Sequence, residues 1–132
     1  MIDSKSEVYQ REYDYIFKKK AFCVRGAVVA SALIEGQILL LAKSFLKKRE
    51  VKYEPKDHQA YRQSLNLLDT NKILNKPELK DIEKFWKERC KSIHGIFKGM
   101  TILQWNEQNK VVVKLGRPII KNLDTKLYPN TN

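Results

Sequence analysis

The residues Gly26 to Ala42, reading GAVVASALIEGQILLLA, constrain this chain more than any other stretch. So long an apolar run has to be covered, either by lipid or by the rest of the protein. Its length approaches the roughly 20 residues a membrane span requires, but Glu35 and Gln37 stand near its centre, and an ionisable side chain there costs about 2.5–3.5 kcal/mol on insertion scales. A helix buried in a protein core is therefore expected, with no membrane partner. Small residues (Gly26, Ala27, Ala30, Ser31, Ala32, Gly36) dominate its first half and permit close approach of neighbouring helices, while Ile38, Leu39, Leu40, Leu41, Phe45 and Leu46 fill the second. The segment reads as the central helix of a bundle, a contact between two copies, or both.

Helical periodicity extends this reading to both sides. Residues 6–19 form a first helix with Val8, Tyr9, Tyr13, Ile16 and Phe17 on one face, followed by the basic run Lys18-Lys19-Lys20. The long helix covers about 21–48 and ends in Lys47-Lys48-Arg49, which suits the negative end of a helix dipole as well as it would suit a phosphate. A loop over 51–56 holds Pro55. Asp57 then caps a third helix, to about Asp69, in which Tyr61, Leu65 and Leu68 share a face; His58 in its first turn is a surface residue. Residues 70–77 connect, with Ile73 and Leu74 against the core. A fourth helix runs from Pro77 or Glu78 to His94, with Gly95 as its left-handed cap.

Past that point the pattern changes. Thr101-Ile102-Leu103-Gln104-Trp105 and Val111-Val112-Val113-Lys114-Leu115 are β-branched and aromatic, and Asn106 to Lys110 between them is turn-like, which predicts a hairpin. Pro118 starts a short helix to Leu127, and the tail from Tyr128 frays. The fold expected is mainly α: an antiparallel four-helix bundle over 1–97, carrying a β-hairpin and tail over 98–132, together one domain.

The 26 Lys and Arg against 15 Asp and Glu give a formal charge of +11, which favours a polyanionic partner such as RNA, DNA or an acidic protein surface. Cys23 and Cys90 have no ligand-like spacing and read as reduced, buried thiols of a cytoplasmic protein, with a single disulfide between them as the alternative. Residues 1–15 are polar and do not resemble a signal peptide. The chain shows no Gly-rich phosphate loop, metal-ligand cluster or Ser-His-Asp set, so neither metal nor cofactor is expected.

One stretch points to chemistry. In Phe85-Trp86-Lys87-Glu88-Arg89-Cys90-Lys91-Ser92-Ile93-His94-Gly95, Arg89 falls on the apolar stripe of Ile82, Trp86 and Ile93 instead of the solvent face. A structural ion pair would explain that arginine, and a histidine before a glycine often just bonds a helix-end carbonyl. A catalytic reading explains both residues at once. Metal-free RNA cleavage needs a group that moves a proton, which His94 supplies near neutral pH, and a fixed cation beside the phosphorane oxygens, which Arg89 supplies. Glu35, in so apolar a segment, must find a donor or a cation, and either member of the pair would serve. Lys87, Lys91 and Lys98 flank the motif and would hold an RNA backbone. Trp86 and Trp105 read as core side chains, with Trp105 on the hairpin edge the better stacking platform of the two. Cys90 beside Arg89 reads either as an activated thiol or as a small core residue.

Arg89, four intervening residues and His94 at the end of the last bundle helix resemble the signature of the HEPN superfamily. So do the Ser31-Ala32-Leu33-Ile34-Glu35 segment and the His94-Gly95-Ile96-Phe97 run. The Arg25-Gly26-Ala27-Val28 start of the long helix is also similar to the mannitol-operon-repressor family. The likeness spans about 21–105, and departs at Cys90 and Ile96, where active members commonly carry Asn, Asp or His and, in toxins, Tyr. The resemblance implies a homodimeric, metal-independent endoribonuclease of a toxin or phage-defence module, with Arg89, His94 and Glu35 catalytic and an antitoxin or regulatory protein as partner. Its alternative is a catalytically inactive helical regulator or adaptor that binds protein or nucleic acid.

Overall fold

The computed structural model describes residues 5–51 and 59–129, all assembled from helices. In chain order these are α1 (Glu7–Ile16), a 3-10 turn (Lys19–Ala21), α2 (Val24–Lys48), α3 (Ala60–Thr70), α4 (Lys76–Gly95) and α5 (Ile102–Leu127). The bundle expected from periodicity is present, and its first four helices fall within a few residues of their predicted ends. Asp57, His58 and the Pro55 loop lie outside the described residues.

The β-hairpin is not there. Residues 102–127 form one helix of 26 residues. Its start is fixed by a reciprocal capping box, in which Thr101 Oγ1 accepts from the Gln104 amide at 3.1 Å and Gln104 Oε1 accepts from the Thr101 amide at 3.0 Å. Val112, Val113, Ile120 and Leu123 are fully buried, and Gly116 and Ile119 are buried between them; their spacing is that of a helix, not a strand. Burial along this face outweighs the weak β preference of three consecutive valines, which packing routinely overrides. Pro118 sits inside the helix instead of starting one. The carbonyl it leaves without an intrahelical donor is that of Lys114, an exposed residue that water can serve.

From Asn109 to Leu127 this helix thus contributes to the core. Helix α5 packs along both α2 and α4, while α1 and α3 pack on α2. Gly116 marks the closest approach: a Cβ there would stand 2.9 Å from the Phe85 ring and 3.2 Å from the Ala30 methyl. The α2 segment passes a length and composition test for a membrane span, yet half of its most apolar window is buried inside the fold, with Ala30, Ile34, Ile38 and Ala42 inaccessible. It is the core helix the sequence predicts.

Polar contacts tie α1 to this pair. Tyr9 donates to Asp124 on α5 at 2.6 Å, and Gln37 on α2 donates to the Tyr9 oxygen at 3.0 Å and to the Ile120 carbonyl at 2.9 Å. Burial first, and the neighbouring Asp124 carboxylate second, push the Tyr9 phenol well above its ordinary value. Tyr128, expected to fray, is buried against the Tyr9 ring. Gly95 is not a left-handed cap either. It is the last helical residue, its missing side chain making room for Met100 and Trp105, and the left-handed conformation falls to Gly99 at φ +75°. The cysteines differ from expectation as well: Cys23 is half-buried and Cys90 exposed, both as free thiols.

Candidate functional site

The end of α4 holds the residues singled out from the sequence. Its start is anchored by a second capping box between Asn75 and Glu78, with Pro77 in the first turn, so the register in which Arg89 faces inward is set from the N-terminal end. Phe85 is fully buried against α5, and Trp86 lies beside it in a tilted-edge ring contact with centroids 5.3 Å apart. One turn later Arg89 meets α2.

Arg89 is half-buried, and its Nε donates to Ser31 Oγ at 2.6 Å; Ser31 Oγ in turn donates to the Ala27 carbonyl at 2.9 Å. The guanidinium carbon lies 5.8 Å from the Trp86 ring centroid. Among the described residues neither terminal nitrogen of Arg89 makes a hydrogen bond, and no carboxylate pairs with it. The structural ion pair that would have explained this arginine is therefore not what holds it. A serine hydroxyl from the small-residue half of α2 does so, leaving the two outer nitrogens of the fork unengaged.

Trp86 closes the other side. Its Nε1 donates to Tyr61 Oη at 2.6 Å, and the two rings meet edge-on. Burial pushes the Tyr61 phenol up to about 12; the indole donor works against that shift, and the nearby Glu35 charge adds to it. Glu35 is exposed and, among the described residues, forms no ion pair or hydrogen bond with Arg89 or His94. Its reach into the site is electrostatic, toward Tyr61.

His94 occupies the last turn of α4 and is exposed. Its backbone carbonyl accepts from the Phe97 amide at 2.9 Å, while its ring has no hydrogen bond among the described residues. Positions five apart on a helix lie about 140° apart around the axis. Arg89 and His94 accordingly belong to one helix end but to different sides of it, and no contact joins them within one chain.

The flanking residues divide. Lys87, Lys91 and Lys98 are exposed, with Lys91 bonded to Glu88 at 2.9 Å. The Lys91 ammonium, ahead of the Gln108 amide, holds the Glu88 carboxyl below the usual carboxylate range. Trp105 is not on a hairpin edge. It lies in the first turn of α5, partly buried, its Nε1 donating to the Ser92 carbonyl at 2.8 Å, which fixes the turn between α4 and α5. Beyond it the turn presents apolar side chains that periodicity did not flag: Phe97, Ile102, Leu103 and Ile96 are 86%, 79%, 74% and 63% exposed. Ser31 is the other residue missed, although a lone hydroxyl on the buried face of an apolar helix was a visible signal that a donor must meet it.

No cluster of three or more potential metal ligands occurs among the described residues. Comparison with protein-family models, with curated proteins and with solved structures finds no match to this chain.

Proposed function

We propose that this protein is a metal-independent endoribonuclease of the HEPN type, acting through Arg89 and His94. The observation that supports the reading is the 2.6 Å bond from Arg89 Nε to Ser31 Oγ. It fixes the plane of a permanently charged fork while leaving its two outer nitrogens for phosphate oxygens, which is the preorganisation that charge stabilisation at a phosphorane requires. His94, exposed on the same helix end, accepts the proton of a ribose 2′-hydroxyl in this reading. The 2′-oxygen then bonds to the adjacent phosphorus, the bond from phosphorus to the 5′-oxygen breaks, and the leaving oxygen takes a proton. The products are a 2′,3′-cyclic phosphate and a 5′-hydroxyl. Because the two side chains leave α4 on different sides, a second copy related by a two-fold supplies the complementary residue. Glu35 takes an electrostatic part, and Lys87, Lys91 and Lys98 hold the strand.

The adaptor reading is favoured by a different observation, the exposed apolar turn of Ile96, Phe97, Ile102 and Leu103. Such a surface on a small helical protein is suited to a protein partner.

Incubation of the purified protein with total RNA in EDTA separates the two. The nuclease reading predicts cleavage with cyclic-phosphate ends, abolished in His94→Ala, sharply reduced in Arg89→Lys, and undetectable on DNA, which lacks the 2′-hydroxyl. Intact RNA with the folded wild-type protein, or equal cleavage by His94→Ala, rejects it.

A further inference from the structure

Because residues 102–127 form one helix in place of the hairpin expected over 101–115, they present a surface that is not apparent in the sequence. Lys110, Lys114, Arg117 and Lys121 recur at four-, three- and four-residue intervals on α5, so they line one side of a single helix. Like charges at that spacing repel one another by a few tenths of a kcal/mol per pair. None of the four is paired with a carboxylate among the described residues. The nearest acidic residues on α5 are Glu107, one turn before Lys110, and Asp124, one turn after Lys121; Glu107 makes no ion pair among the described residues, and Asp124 is buried and pairs with Lys5.

A second basic segment is held against this stripe. Arg117 donates from Nε to the Ile16 carbonyl at 2.8 Å and from Nη2 to the Lys18 carbonyl at 2.7 Å, satisfying carbonyls at the end of α1 and in the turn beyond it. Those bonds seat residues 16–22 on α5. The Phe22 ring is covered by the Lys110 and Lys114 ammonium groups at 5.6 and 5.9 Å and the Arg117 guanidinium at 4.2 Å. Lys18, Lys19 and Lys20 are exposed on the same turn. Three cations of α5 therefore lie over a half-buried ring from the same turn that exposes Lys18, Lys19 and Lys20.

We infer that this face, formed by the α5 stripe and the Lys18–Lys20 turn, binds the phosphate backbone of a nucleic-acid strand. Concentrated, unneutralised positive charge on a rigid helix is the electrostatic footprint of such a partner. From Lys110 to Lys121 the stripe runs about 16 Å at 1.5 Å per residue, long enough to follow several phosphates of one strand. A lipid surface is the poorer match, since stable attachment to a bilayer needs inserted apolar side chains beside the cations; here the ring at the centre is covered by the cations. The most exposed apolar side chains lie instead on the turn between α4 and α5. Backbone contacts carry no sequence information, so RNA and DNA of equal length bind alike. The inference stands whether or not Arg89 and His94 cut RNA.

The test is fluorescence anisotropy with a labelled 20-nucleotide RNA and the matching DNA, using full-length His94→Ala so that the probe stays intact. Lys110→Gln/Lys114→Gln/Lys121→Gln is expected to weaken binding at least tenfold at about 100 mM salt and to lower the slope of log affinity against log salt by about 2, at about 0.7 per lost phosphate contact. Lys18→Gln/Lys19→Gln/Lys20→Gln, which leaves α5 untouched, should do the same. The equally charge-reduced Lys43→Gln/Lys76→Gln/Lys80→Gln should stay within about threefold of the parent. Nucleic-acid affinity equal in all three variants, no affinity in the parent, or tighter binding to phosphatidylserine vesicles than to either oligonucleotide would overturn the assignment.

Discussion

Two helical glycines with opposite surroundings give the sharpest test of the packing on which everything else rests. Gly36, on the exposed side of α2, has open space where a Cβ would go. Replacing it with alanine removes the conformational penalty of glycine in a helix and is expected to stabilise the protein by about 1 kcal/mol. Gly116, in the middle of α5, gains the same amount from the same change but meets two neighbours that cannot yield. The new methyl would stand 2.9 Å from Phe85 Cε1, on a fully buried ring, and 3.2 Å from the Ala30 Cβ, fixed on α2. Overpacking of this kind costs about 1–3 kcal/mol. Gly116→Ala should therefore be neutral to about 2 kcal/mol destabilised, and the gap between the variants should equal the overpacking cost alone. For a chain of this size a kcal/mol moves the melting temperature by about 3–5 °C, so the melting points should differ by about 3–15 °C. Urea titrations followed by circular dichroism at 222 nm measure both variants. If Gly116→Ala matches Gly36→Ala to within about 0.5 kcal/mol, α5 does not lie between α2 and α4 as described, and the basic stripe loses its footing.

Two further outcomes follow from the helix starts. Glu78 accepts from the Asn75 amide at 2.8 Å and pairs with Lys126 at 3.2 Å. Burial pushes its carboxyl up, but the Asn75 amide, the Asn122 side chain and Lys126 together outweigh that and hold it below the ordinary 4.5. A depressed carboxylate contributes stability that is present above the unfolded pKa and lost as pH falls through the folded one. The melting-temperature difference between wild type and Glu78→Gln should therefore be constant from pH 7 to about pH 5.5 and shrink as pH drops below 4.5; a difference independent of pH down to 3 would contradict this. Thr101→Ala removes the acceptor for the Gln104 amide and should cost about 1 kcal/mol. Amide exchange at Gln104 should accelerate in that variant while exchange at Val112 and Val113 keeps pace only with the global loss of stability.

Much of the site was legible because helical periodicity is a local property. The inward direction of Arg89 follows from its spacing to Ile82 and Trp86, and the start of α4 from Pro77 in its first turn. What Arg89 touches was not legible, since Ser31 is far away in sequence and only the crossing of α2 and α4 brings them together. The loss of the hairpin has a different cause. Three consecutive valines next to Asn106, Glu107, Gln108 and Asn109 look like a strand after a turn, although the Thr101–Gln104 capping box and the spacing of Val112, Gly116, Ile119, Leu123 and Leu127 were both in plain view.

The sequence alone determined that the long helix, read at about 21–48, would be buried, because an apolar run interrupted by Glu35 and Gln37 is stable neither in water nor in lipid. It determined the remaining bundle helices for the related reason that each carries one apolar face. Only the tertiary structure decided that residues 102–117 are helical and continuous with the helix expected after Pro118. A β-branched segment has a weak local preference, and the large apolar area removed from water between α2 and α4 outweighs it. That same decision moves Lys110, Lys114, Arg117 and Lys121 onto one line.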